Sequence, residues 1–159
     1  MSQKILGVSR QFATFCAVGA ISVVIDWGTT YLLTFHSSFP QTFAHSISKA
    51  APILSETMAA NWIAKACGVG LATVNGFYLN TRYTFRDVPS QPVAKRFSRF
   101  ATVIVVGIAL NATIVAVLLS ILSSTSKASF WYAQAFGTIV TTFWNYFANK
   151  HWTYRVPVE

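Results

Sequence analysis

Charge is scarce in this sequence. Asp, Glu, Lys and Arg make up 10% of its 159 residues, and acidic residues number four. A soluble domain carries roughly 25% charged residues. The four acids, Asp26, Glu56, Asp87 and Glu159, are too scattered to work as paired carboxylates, and no Ser/His/Asp set accompanies them. An enzyme is therefore not expected. Two cysteines, Cys16 and Cys67, and three histidines, His36, His45 and His151, form no cluster of the three or four ligands that zinc needs. Neither a metal nor another cofactor is expected. Both cysteines lie in apolar stretches, where a thiol behaves as a small hydrophobe.

What the chain has instead is apolar residue in long blocks. Hydrophobic residues are 53% of the total, and the mean hydropathy is +0.48. A helix crosses a bilayer in about 20 residues. Four blocks reach that length: residues 12–35, 58–80, 97–122 and 130–149. The first follows Lys4 and Arg10 as in a secretory signal, yet it is too long for one and contains Asp26. A similar segment recurs later, so it reads as a retained helix. Residues 36–57 hold Pro40 and Pro52, with Phe43 and Ile47 spaced i,i+4 between them. They form either a short helix on the membrane surface or a plain loop. Val88-Pro89-Ser90-Gln91-Pro92 ends any regular helix, because proline lacks an amide donor. Residues 123–129 read as a tight polar turn.

The net charge is +8, and its distribution is uneven. Lys4, Arg10, Arg82, Arg86, Lys95, Arg96, Arg99, Lys150 and Arg155 flank the blocks on one side; only Lys49 and Lys127 lie on the other. Cationic loops stay in the cytoplasm. Both termini and the middle connector are thus expected inside. The cations serve topology and contacts with anionic membrane lipids, and no soluble part remains to bind nucleic acid. The fold expected is an all-α membrane protein, one domain over residues 1–159, with four transmembrane helices.

Those helices come as two parallel hairpin repeats, residues 10–86 and 97–155. The second and fourth blocks align without a gap at an offset of 69: Trp62 with Trp131, Gly68 with Gly137, Thr73 with Thr142, Asn80 with Asn149. Tyr83-Thr84-Phe85-Arg86 matches Trp152-Thr153-Tyr154-Arg155, and Phe12-Ala13-Thr14 in the first block matches Phe100-Ala101-Thr102 in the third. Ala64, Gly68, Ala72 and Gly76 fall on one helix face, as do Ala133, Gly137, Thr141 and Asn145. Small residues let helices approach closely in lipid, so these faces read as packing seams.

Asp26 and Lys65 fall inside blocks at similar depth. A charge there costs at least ~2.5 kcal/mol and is normally paired or functional. Either the two form an ion pair, or Lys65 extends alone toward the surface. At the place matching Asp26 the second unit has an apolar Ile or Thr near Asn111, opposite Gln134. The halves therefore differ in charge.

The opening Arg10-Gln11-Phe12 with Val18-Gly19 and Asp26, together with the exits Phe77-Tyr78-Leu79-Asn80-Thr81-Arg82-Tyr83-Thr84-Phe85 and Asn145-Tyr146-Phe147-Ala148-Asn149-Lys150-His151-Trp152-Thr153-Tyr154, resembles the GtrA-like family of small bacterial membrane proteins. The resemblance covers nearly the whole chain. It departs at Gly76, where the family motif has Asn and Asn75 stands one residue early, at Lys150, where Arg is usual, and in the longer stretch 36–57.

The resemblance implies a multi-pass protein of the inner (cytoplasmic) membrane that flips polyprenyl-phosphate-linked sugars for cell-surface polysaccharide synthesis or glycosylation. A membrane glycosyltransferase partner then uses the sugar outside. On that reading Asn80, Arg82, Arg86, Asn149, Lys150 and Arg155 capture the phosphate and head group. Asp26, Lys65, Asn75, Asn111, Gln134 and Asn145 supply a polar path, and a homodimer would enclose it. Two rivals stand beside this: a non-transporting scaffold for a glycosyltransferase, and a proton-coupled drug exporter using Asp26.

Overall fold

The structure, a computed structural model, describes residues 2–50, 55–86, 92–122 and 127–155. Pro52, residues 87–91 of the connector, residues 123–126 of the expected turn, and Glu159 lie outside the described residues, as do the side chains of Lys4 and Lys127. All the regular structure described is helical: α1 (Ser2–His36), α2 (Phe39–Ala50), α3 (Glu56–Leu79), α4 (Val93–Leu122) and α5 (Lys127–Ala148). Two five-residue π-helical turns, π1 (Asn80–Thr84) and π2 (Asn149–Thr153), continue α3 and α5.

Residues Gly7–His36 and Val93–Leu122 are long and apolar enough to cross a bilayer. Their apolar side chains point outward: Val24, Trp27, Val105 and Ile121 are each more than 60% exposed. Water does not tolerate such patches on this scale. Apart from a cluster of buried rings that includes Phe15, Phe85 and Tyr146, many buried positions are small or polar, such as Ala64, Gly68, Asn149 and Thr153. That inversion suits lipid as the solvent, where close packing and hydrogen bonds, not apolar burial, hold helices together.

The chain forms two compact units, one of Met1–Phe15 with Thr81–Glu159 and one of Cys16–Asn80. The division falls within α1 and at the start of π1, not at the connector around residue 90. Aromatic packing explains why the start of α1 groups with the later helices. Phe15 lies edge-on to Phe85 and Tyr146, and Phe12 stacks on Phe143 at 5.2 Å between centroids. In this unit α4 packs along α5, and π2 contacts both.

In the unit of residues 16–80, the stretch after α1 is helix rather than loop. The Phe39 amide bonds Ser37 Oγ at 3.1 Å, and Pro40, with its missing amide donor, sits in the first turn where that costs nothing. Phe39, Phe43 and Ile47 make an exposed stripe on α2, while Ala44 packs against Ala59 and Ala60 of α3. Ser55 caps α3 by accepting from the Met58 amide at 3.2 Å, and Glu56 in the first turn complements the helix dipole.

Candidate functional site

In the unit of residues 16–80, α1 and α3 meet at Gly68. A Cβ there would lie 2.7 Å from both the backbone oxygen and Oδ1 of Asp26. The missing side chain is what lets Asp26 reach α3. Lys65, one turn before Gly68, donates to Asp26 Oδ2 at 2.5 Å. Thr30, one turn beyond Asp26, donates to Oδ1 at 3.4 Å. The ion pair that the sequence left open is therefore formed. Lys65 does not extend alone.

The α4–α5 hairpin has a pair of the same shape without charge. Gln134 Nε2 donates to Asn111 Oδ1 at 3.4 Å, one turn before Gly137. A Cβ on Gly137 would stand 3.0 Å from Asn111 Nδ2. The partner facing Gln134 is thus the amide of Asn111, not the Ile or Thr that alignment of the first and third blocks places opposite Asp26. A shift of three residues, nearly one helical turn, keeps the same face toward α5 and separates the two registers.

Asn111 and Gln134 also line an open cavity of about 340 Å³ with Gly107, Thr141 and Asn145, beside apolar Ile104 and Ile108. Asn145 presses its Oδ1 against Gly107, where a Cβ would come within 2.6 Å. That oxygen is buried and has no hydrogen-bond partner. Three of the six residues expected along the polar path are thereby brought to one place. Asn75 lies on α3, part-buried, with Nδ2 unpartnered.

The two exits are built alike. Each begins with a buried Asn, Asn80 or Asn149, and ends with a buried Thr, Thr84 or Thr153. All four side-chain oxygens are buried without a partner. The Tyr154 amide bonds the Asn149 carbonyl at 2.8 Å, the five-residue reach that defines a π turn. Asn149 Nδ2 bonds the Asn145 carbonyl at 2.8 Å. Asn149 thus shapes its turn from inside. Lys150 folds back over the Tyr146 ring, with Nζ 3.4 Å from the hydroxyl. Arg82, Arg86 and Arg155 are exposed; Arg86 and Arg155 each have interactions of their own.

Other residues fix this end of the unit. Gln11 donates to the Thr84 carbonyl at 3.1 Å and accepts from the Tyr146 hydroxyl at 3.0 Å. Thr81 and Tyr154 share a hydroxyl–hydroxyl bond of 3.0 Å. Phe85 stacks on Tyr154 at 4.4 Å, and Arg96 lies over the Tyr154 ring. Burial pushes the Tyr154 phenol up to about 12, against smaller lowering effects of Thr81 and Arg96. Tyr146, Thr84 and Thr153 were not among the expected site residues. For Thr84 and Thr153 the signal was their recurrence after the matched asparagines; Tyr146, matched by Phe77, carried none.

No curated protein matches the chain. A family model does, that of the GtrA/DPMS transmembrane domain, over residues 14–154. The match runs through both the ion pair and the amide cavity and ends within the second exit. This chain is a membrane protein belonging to the GtrA/DPMS transmembrane-domain family.

Proposed function

We propose that this protein flips a polyprenyl-phosphate-linked sugar across the cytoplasmic membrane, for cell-surface polysaccharide synthesis or glycosylation. In this reading α1, α3, α4 and α5 all span, as two parallel hairpins, with both termini and the connector inside. Such a lipid has an anionic phosphate, a hydroxyl-rich head and an apolar tail. A carrier must give the head hydrogen bonds while the tail stays in lipid.

The observation that carries the reading is the cavity of Asn111, Gln134, Thr141 and Asn145 between two apolar helices. Polar groups in hydrocarbon are costly, and here the Asn111–Gln134 amide pair and the unpartnered Asn145 Oδ1 converge on one open space that passing hydroxyls would use. At the inner surface, the exposed Arg82, Arg86 and Arg155 gather phosphate by charge-assisted bonding. Asn80, Asn149 and Lys150 stand beside them in the same exits, where Asn149 holds the second turn through the Asn145 carbonyl. The sugar is delivered to a membrane glycosyltransferase outside, and a second copy of the chain completes the wall of the path. No chemical step on the sugar is required.

Liposomes containing the purified protein and a labelled polyprenyl-phosphate sugar test this. Wild type accelerates exchange of label between leaflets, and Arg82→Ala and Asn149→Ala slow it. No acceleration by wild type overturns transport and leaves the scaffold for a glycosyltransferase.

A further inference from the structure

The Asp26–Lys65 pair is not needed to close its seam. The α4–α5 hairpin closes an equivalent contact around Gly137 with a neutral amide pair. A lysine among apolar residues is costly, so its presence calls for a use beyond packing. Its setting identifies one. The Lys65 side chain is 47% exposed, whereas Asp26 is 17% exposed. The counter-charge thus lies behind the cation, and the cation faces outward. An ammonium has three donors, and Asp26 takes one.

Lys65 lines a shallow, open surface groove of about 320 Å³ together with Met58, Asn61 and Trp62. These four occupy one face of α3, at i, i+3, i+4 and i+7. Trp62 is 68% exposed and offers a broad indole face. At the offset of 69, the second unit keeps the tryptophan, Trp131, but has Phe130 and Gln134 in place of Asn61 and Lys65. The cation and the amide beside it therefore belong to the first unit alone.

We infer that Lys65, Asn61 and Trp62 form a second anion site, which holds a phosphodiester-linked sugar head. Lys65 binds the phosphate with a charge-assisted bond, sharing it with Asp26. Trp62 lies flat against the C–H face of the sugar ring, and Asn61 bonds a hydroxyl. The sugar half of the inference rests on the function proposed above; the phosphate half rests on the geometry of Lys65.

The test uses the full chain in phosphatidylcholine nanodiscs. Its probes are a ten-carbon prenyl phosphoglucose, the same prenyl glucoside without phosphate, and phosphatidylglycerol as competitor. Lys65→Gln weakens binding of the phosphoglucose at least tenfold and leaves the neutral glucoside unchanged. Asp26→Asn, which frees the ammonium, binds the phosphoglucose as tightly as wild type or tighter. The charge swap D26K/K65D keeps an ion pair but binds as weakly as Lys65→Gln. Trp62→Ala, at an exposed position that leaves folding intact, weakens both glucosides.

Wild-type affinity in both Lys65→Gln and the swap overturns the site, as does unchanged affinity in Trp62→Ala. Equal competition by phosphatidylglycerol overturns the sugar half and makes this a phospholipid contact. Leaflet exchange on the same variants separates the two proposals. Exchange by wild type with binding and exchange unaffected by Lys65→Gln removes this site and spares the flippase. Lys65-dependent binding without wild-type exchange does the reverse.

Discussion

The Tyr146 hydroxyl donates to Gln11 Oε1 at 3.0 Å, joining residues 135 positions apart. Through the Gln11 amide the connection continues to the Thr84 carbonyl, so one side chain ties the start of α1 to π1 and to α5. Both ends of the linkage lie in a cluster of rings, where a lost partner is not replaced by water.

Removing that hydroxyl gives the first expected outcome. Tyr146→Phe keeps the ring contacts with Phe12 and Phe15 but leaves Gln11 Oε1 without its donor. The cost is about 1 kcal/mol, read as a lower Tm in detergent. Gln11→Ala costs more, because the Thr84 carbonyl also loses a donor. In a double-mutant cycle the two changes are less than additive. Strict additivity means that the bond contributes nothing.

Glycine positions separate close approach from free surface. Gly68→Ala forces Asp26 and α1 away and costs about 1–3 kcal/mol. Gly70→Ala meets nothing within 4 Å and raises helix propensity, so its Tm is unchanged or higher. Equal melting of the two variants shows that α1 and α3 are not in close contact at Gly68.

Asp26→Asn and Lys65→Gln each leave one charge without its counterion. With Lys65 half exposed, each costs about 1–2 kcal/mol. The double variant D26N/K65Q reproduces the Asn111–Gln134 arrangement and melts above the Lys65→Gln variant. A double variant that melts lower than both singles excludes the neutral pair as a structural substitute.

Burial of the Tyr154 ring gives its phenol a late titration. Its folded value, about 12, is raised above the ordinary 10.0 by burial. Its contribution to stability is therefore complete below pH 10 and is lost as pH rises through about 12. In phenolate absorbance titrations, Tyr154→Phe removes a step near pH 12. In melting curves it removes the loss of stability between pH 10 and 12. An unaltered late step places the buried phenol elsewhere.

Topology is open to labelling in intact cells, after Cys16 and Cys67 are replaced by serine. Lys49→Cys reacts with an impermeant reagent from outside. Lys95→Cys reacts only after the membrane is opened. Reaction of Lys95→Cys from outside inverts the proposed threading, and the inner phosphate site falls with it.

Sequence by itself determined the solvent and the class of fold. Long apolar blocks with little charge exclude water as the surrounding medium, and only helices satisfy their own backbone there. Depth along the blocks made Asp26 and Lys65 candidate partners, but the choice between an ion pair and a lone outward lysine was settled only by the fold. The small-residue faces around Gly68 and Gly137 were legible because close helix approach demands them wherever it occurs.

Tertiary structure alone decided the rest. Apolar residues interchange freely against lipid, so alignment could not detect the slide of about one turn that brings Asn111, not the Ile or Thr matched with Asp26, to Gln134. Whether residues 39–50 were helix or loop depended on Ala44 finding Ala59 and Ala60. The family resemblance assigned Asn80 and Asn149 to the head group, and their spacing did not show which way they face. Packing turned them inward, where a widened helical turn leaves their oxygens without partners and passes the surface to the arginines beyond.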